Sequence, residues 1–231
     1  MSEKRVAMVS GASRGIGAAI AARLLEAGWR VSLGVRNPER LSPSAGDRLV
    51  CRYDAMDAAS EKRWMEETIA RFGRLDGLVL NAGIMIPKTV LEASEEDFDT
   101  TFAVNVKSPM RLAQLAWPHL EKAPAGRVVT LSSLSGKRVK SPGSSLYALS
   151  KFAVLALSHG LRQCGKESGV RATVICPSYV ATDMGLALTS PDPATLTQPE
   201  DIAKIVHMVL DLPKTASISE IPVHYSVEDC Y

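Results

Sequence analysis

Val6-Ala7-Met8-Val9-Ser10-Gly11-Ala12-Ser13-Arg14-Gly15-Ile16-Gly17 is the stretch that decides the fold. The apolar run Val6–Val9 is too short for a helix and reads as a strand covered on both faces, as in a parallel sheet. Glycines at positions 11, 15 and 17 follow, and a helical pattern begins there. Glycine lets the backbone turn tightly and approach a pyrophosphate, and the first turn of a helix offers free N–H groups and a positive dipole to an anion. The spacing is GxxxGxG rather than the commoner GxGxxG, so the motif taken alone leaves room for a glycine turn with no ligand.

Outward from this stretch the pattern repeats. Apolar runs recur at Val31–Val35, Leu49–Tyr53, Leu78–Leu80, Val128–Leu131, Ala172–Cys176 and Ile218–His224. Helical patterns lie between them, near residues 15–27, 60–72, 95–122, 145–168 and 199–211. Alternation of strand and helix implies right-handed crossovers and an α/β fold, a doubly wound, Rossmann-like and mostly parallel sheet of about seven strands flanked by helices. No repeat or linker divides the chain, so residues 1–231 read as a single domain. The irregular segment at about 183–198 is a candidate substrate lid.

Composition excludes several classes. A net charge of +2 gives no reason to expect nucleic acid or an acidic membrane surface as partner. No apolar stretch is long enough to span a bilayer, and the N-terminal one is too short for a secretion signal, so the expected location is cytoplasmic. Cys51, Cys164, Cys176 and Cys230 form no CxxC pair and no zinc-like cluster with histidine. They read as reduced thiols, and no metal site is expected.

Ligands of doubly wound sheets bind at the carboxyl ends of the strands. At the end of the second strand, an acid suits the ribose of NAD, whereas arginine suits the 2′-phosphate of NADP. Here the strand ends Leu33-Gly34-Val35-Arg36-Asn37 with no acid, and Arg14 is a second cation within reach. The pair points to NADP(H). Tyr147-Ala148-Leu149-Ser150-Lys151 places Tyr147 and Lys151 on one face of a helix. A nearby ammonium would lower the tyrosine pKa from about 10 and make proton exchange easier. The strand Val128-Val129-Thr130-Leu131-Ser132-Ser133 brings a hydroxyl to the same end of the sheet.

Together these residues resemble the short-chain dehydrogenase/reductase family, in its classical, NADP(H)-preferring subgroup, over about residues 5–225. Ser10–Gly17 resembles the family's TGxxxGIG loop, with Ser for Thr, so Gly11, Ser13, Arg14, Gly15, Ile16 and Gly17 are cofactor candidates. Asp54 resembles the acid beside the adenine, and Asn81-Ala82-Gly83 the NAG element. Asn105, Ser133, Tyr147 and Lys151 resemble the catalytic tetrad. Ser132 competes with Ser133, since the Ser133–Tyr147 interval is one residue longer than the commonest spacing; Gly136 favours Ser133. Pro177, Val180 and Thr182 match the PGxVxT segment near the nicotinamide, with Ser178 in place of glycine.

The resemblance implies hydride transfer between NADP(H) and a small alcohol/ketone pair. Ser133 would bind the substrate oxygen and Tyr147 would exchange the proton. Lys151 would tune Tyr147 and hold the nicotinamide ribose, and Asn105 would hold a relay water. It also implies a homodimer or homotetramer through the apolar helices 105–122 and 146–163. A non-catalytic NADP(H)-binding regulatory protein is the alternative on the same fold. A sugar-nucleotide epimerase would need a larger segment after Gln198. Leu134, Val139, Leu146, Met184, Leu186 and Leu188 are candidates for an apolar pocket wall. Lys137, Arg138 and Lys140 either attract an acidic substrate or form a solvated basic loop.

Overall fold

The computed structural model describes residues 3–189 and 191–227. Among them, seven strands form one sheet in the order β3-β2-β1-β4-β5-β6-β7. The strands are β1 (Val6–Ser10), β2 (Arg30–Val35), β3 (Arg48–Arg52), β4 (Gly77–Leu80), β5 (Arg127–Leu131), β6 (Arg171–Pro177) and β7 (Glu220–Val223). Every ladder between them is parallel, a stricter arrangement than the mostly parallel sheet expected. The reversal of strand order lies between β1 and β4, and the glycine loop follows β1 there.

Helices α1 (Gly15–Glu26), α2 (Ala58–Phe72), α3 (Glu95–Phe102), α4 (Ser108–Leu120), α5 (Ser145–Ser168), α6 (Asp183–Leu186) and α7 (Pro199–Asp211) connect the strands. Two apolar layers result. One packs α1 and α7 on the sheet through Ile20, Leu24, Ile202 and Val206. The other packs α2 and α4 through Trp64, Met65, Leu112 and Ala116. β1 contributes Ala7 and Val9 to the first and Val6 and Met8 to the second, so alternate residues of one strand feed both cores. This is why an uninterrupted apolar run was needed there.

The pattern over 95–122 suggested one helix. Instead, α3 passes into α4 through a π-helical turn, Ala103–Lys107. Such turns insert an extra residue and shift the helix faces. The capping box of Ser94 and Asp97 fixes where α3 begins. No helix among the described residues is long and apolar enough to cross a membrane.

Candidate active site

The turn after β1 is held by its neighbours rather than by itself. Ser10 Oγ accepts hydrogen bonds from the Asn81 and Ala82 amides at 2.9 and 3.0 Å. Asn81 Nδ2 donates to the carbonyls of Ser10 and Gly11 at 2.9 and 3.2 Å. Gly11 (φ +68°) and Gly15 (φ +55°) occupy the left-handed region. At Gly17 a Cβ would run into the Gly11 carbonyl and come within 2.5 Å of Asn81 Nδ2. Thus Ser10 and Asn81 shape the loop from behind. On its open side α1 begins with no capping side chain and no acid in its first turn.

A cleft of about 860 Å³ opens there. Gly11, Ser13, Arg14, Gly15, Ile16 and Gly17 border it at one end, Arg36 and Asp54 beyond them, and Asn81, Ala82, Gly83, Tyr147, Lys151, Pro177 and Thr182 toward the other. Val180 is buried with the α1/α7 core, and it, Ser133 and Asn105 do not border the cleft, whereas Ser132 does. Arg36 is exposed at the end of β2. Arg14 is ion-paired to Asp183 at 2.6 Å, an exposed pair of the kind that is individually weak in water. Asp54 Oδ1 accepts from the Met56 amide at 3.0 Å. The next carbonyl, Ala55, is held by Arg111, which also forms a two-point pair with the buried Glu61 at 2.7 Å. Neither Glu61 nor Arg111 carried a sequence signal, because their pairing joins α2 to α4.

At the far end three elements converge. Ser133 follows β5, and its hydroxyl donates to the Pro177 carbonyl at 3.4 Å while lying beside Tyr147 of α5, whose phenol pKa it helps hold down. It also accepts from the Ser135 amide at 3.1 Å. The Ser132 hydroxyl is turned away and donates to the Lys151 carbonyl at 3.0 Å. Lys151 Nζ donates to the Leu131 carbonyl at 3.0 Å and stands 5.5 Å from the centre of the Tyr147 ring. A Cβ on Gly83 would sit 3.6 Å from that nitrogen and 3.3 Å from Asn105 Oδ1, so these groups share one small space.

Asn105 lies in the π turn. Its Oδ1 accepts from the Ile84 amide at 2.8 Å, and its Nδ2 donates to the Ile84 carbonyl at 2.9 Å and to Ser150 Oγ at 3.0 Å. Ser150 in turn donates to the Tyr147 carbonyl at 2.7 Å. Ile84 and Ser150 were missed in the sequence, although Ser150 sits inside the Tyr147–Lys151 motif. With its side chain engaged in this way, Asn105 fixes both the segment after Gly83 and the first turn of α5.

The electrostatics differ from expectation. Burial pushes the Tyr147 phenol up to about 12, opposed by the neighbouring Ser133 hydroxyl. Burial pushes Lys151 down to about 8. Lys151 is not among the causes of the phenol's shift; its ammonium donates to the Leu131 carbonyl.

The substrate side is less ordered in its roles. Met184 borders the cleft, Val139, Leu186 and Leu188 are exposed, and Leu134 and Leu146 are buried as packing. Lys137 is not a solvated cation: its side chain is only 14% exposed and pairs with Glu220 of β7. Lys140 Nζ lies 5.6 Å from the Tyr179 ring centre.

Residues 5–192 match the family model for short chain dehydrogenase. The chain belongs to that family. It is 35% identical over 218 residues to an agropine synthesis reductase of Rhizobium rhizogenes, covering 92% of this chain and 50% of the relative. This short chain dehydrogenase therefore spans about half the length of the agropine synthesis reductases it matches. An uncharacterized oxidoreductase of Staphylococcus aureus (strain USA300) is 32% identical, with 95% of this chain and 96% of that one covered. Among solved structures, a short chain dehydrogenase from Burkholderia cenocepacia J2315 in complex with NADP superimposes with a TM-score of 0.87 at 29% identity, over 97% of each chain. An alcohol dehydrogenase from the archaeon Thermococcus sibiricus, complexed with 5-hydroxy-NADP, gives 0.86 at 26% identity, over 99% of this chain and 100% of that one. The family uses NAD(P), and the solved neighbours above hold NADP or 5-hydroxy-NADP. This chain's own residues fit such a cofactor: the uncapped start of α1 and the glycine turn admit a pyrophosphate, and the cleft continues from there to Tyr147.

Proposed function

We propose that this chain is an NADP(H)-dependent oxidoreductase acting on a small alcohol/ketone pair, with Asn105, Ser133, Tyr147 and Lys151 as its working residues. The observation that carries this reading is that Tyr147 and Lys151 border the far end of a cleft that begins at the glycine loop, with the Lys151 nitrogen 5.5 Å from the Tyr147 ring centre and Ser133 beside the phenol. When bound, the cofactor supplies or accepts the hydride. Ser133 orients the substrate oxygen toward Tyr147. Tyr147, neutral at physiological pH, gives its proton to the developing alkoxide during reduction and takes it back during oxidation. Lys151 lies between Tyr147 and the Leu131 carbonyl, where it can replenish that proton and hold the ribose of the nicotinamide. With the Asn105 side chain bound to Ile84 and Ser150, any relay water would meet its main chain.

Arg36 and Arg14 support NADP(H) over NAD(H). Arg36 projects from the strand end where a 2′-phosphate would lie, and Arg14 is held nearby by an exposed ion pair. Residues 1–231 are read as a single domain, with 183–198 as the segment over the substrate. A homodimer or homotetramer in the cytoplasm belongs to the same reading, supported by Met110 on α4 and Leu149 and Phe152 on α5, all exposed apolar side chains. The test is a panel of aldehydes, ketones and keto acids with NADPH and NADH side by side. Turnover with NADPH on at least one carbonyl supports the reading. Tight NADPH binding with no turnover across the panel favours the regulatory alternative.

A further inference from the structure

Below the Ser133 turn lies a charged cluster that the mechanism does not use. Glu220 on β7 accepts from Lys137 through one carboxylate oxygen and pairs with His159 Nε2 of α5 at 2.7 Å through the other. Register places Glu220 opposite Val174 of β6, so its side chain rises on the same face as Val174 and Cys176. Leu134 packs on those two residues. Lys137 is tied to Ser133 by a single tight turn: the Gly136 amide donates to the Ser133 carbonyl at 2.9 Å and the Lys137 amide to the Leu134 carbonyl at 2.9 Å. Gly136 itself sits against α5, where a Cβ would come within 2.6 Å of the Lys151 carbonyl. The Lys137 ammonium and Glu220 carboxylate are mostly withdrawn from water, with side chains 14% and 25% exposed. Glu220 is held below the usual carboxylate range, first by Lys137, against burial, and then by His159.

We propose that Glu220 is a positioning residue for the Ser133 turn. It clamps Lys137 down onto β7 and α5, and the one-turn link passes that constraint to the Ser133 hydroxyl facing Tyr147. The inference rests on the reading of Ser133 and Tyr147 given above. A clamp of this kind acts on the geometry of the reacting groups and leaves the glycine loop untouched. Loss of the clamp therefore lowers kcat without weakening NADPH, since small displacements of a reacting group cost rate steeply.

Two single variants and their combination test this. Glu220→Ala removes the pairs to both Lys137 and His159, whereas Lys137→Met keeps the stem and leaves Glu220 with His159. Each is expected to lower kcat about tenfold on the fastest carbonyl of the panel, with the NADPH Kd from fluorescence titration unchanged. The double variant should be no worse than the worse single, because the Lys137–Glu220 contact is lost in both singles. A kcat within twofold of wild type for Lys137→Met, an NADPH Kd rising in step with the loss, or additive losses would each overturn the proposal. If Glu220→Ala does not fold, Lys137→Met decides alone. Tyr147→Phe is run in parallel. If it abolishes turnover and Lys137→Met does not reduce it, only the clamp is wrong; if Tyr147→Phe keeps turnover, the reading of the site fails.

Discussion

The two ends of the cleft are built on different principles. At the glycine loop the backbone does the shaping, and its neighbours leave no spare volume: Gly17 has no room for a methyl group, and Gly34 of β2 none beside Trp64, whose ring would be 2.5 Å from a Cβ. At the substrate end, side chains do the shaping, and Val139, Met184, Leu186 and Leu188 remain exposed. The first arrangement fixes its shape in the backbone. The second leaves its occupant to be chosen by a few replaceable side chains. The lesson is that cofactor and chemistry are written into this chain in a different medium from substrate choice.

Substitutions can break that contrast, and the largest effect belongs where the two ends meet. Tyr147→Phe keeps the ring and removes the proton, so kcat should fall on the order of 10³-fold while NADPH binds as before. Stopped-flow turnover with parallel NADPH titration measures this. Equal losses in both would place Tyr147 in binding rather than chemistry.

Lys151→Met should lower turnover about 100-fold and yet raise thermal stability. The folded chain holds this lysine at about 8 against 10.5 unfolded, so the unfolded chain binds the proton more tightly. The resulting penalty is complete below about pH 8 and fades as pH rises toward 10.5. It is worth roughly 3 kcal/mol, partly offset by about 1 kcal/mol for the lost bond to the Leu131 carbonyl. Calorimetry of the apoprotein at pH 7 should show Tm higher by about 4–8 °C, with the gain shrinking near pH 10. A lower Tm at pH 7 would mean that the ammonium is not shielded.

Gly17→Ala sharpens the contrast at the loop. The added methyl group meets Gly11 and Asn81, and the strain should weaken NADPH about 30-fold with smaller effects on kcat once the site is saturated. Arg36→Asp should shift the ratio of NADPH to NADH affinity about tenfold toward NADH, read by titrating both. The smallest effect is expected at the substrate end. With Lys137 already paired to Glu220, raising salt should separate keto acids from neutral ketones in kcat/KM by no more than about twofold. A larger separation would restore the 137–140 segment as an acid-attracting surface.

Legibility followed the same divide. The fold could be read because β1 and the turn after it obey backbone rules that few sequences satisfy by accident. Over 95–122 the apolar period was continuous, so the π turn at Asn105 left no trace in it. Ser132 and Ser133 could not be separated by spacing. Alternation along the strand end is what turns one hydroxyl to the Lys151 carbonyl and the other to the Pro177 carbonyl beside Tyr147. Lys137, Arg138 and Lys140 looked like one basic patch because the acid that pairs with Lys137 lies on β7, far along the chain. The tuning of Tyr147 by Lys151 was expected from helical spacing alone, which places two side chains on one face without saying where the ammonium finds its acceptor.

The π turn at Ala103–Lys107 also makes the length of the chain a constrained quantity there. Deleting one of its residues would restore a regular helix and rotate everything after it by about 100° relative to α3. Asn105 and Arg111 could then no longer both keep their present partners, Ile84 and Ser150 on one side and Glu61 on the other. A deletion scan along residues 95–120 would therefore find its sharpest intolerance at a place where point substitutions to alanine, apart from Asn105 itself, are comparatively mild: the segment counts residues more strictly than it reads them.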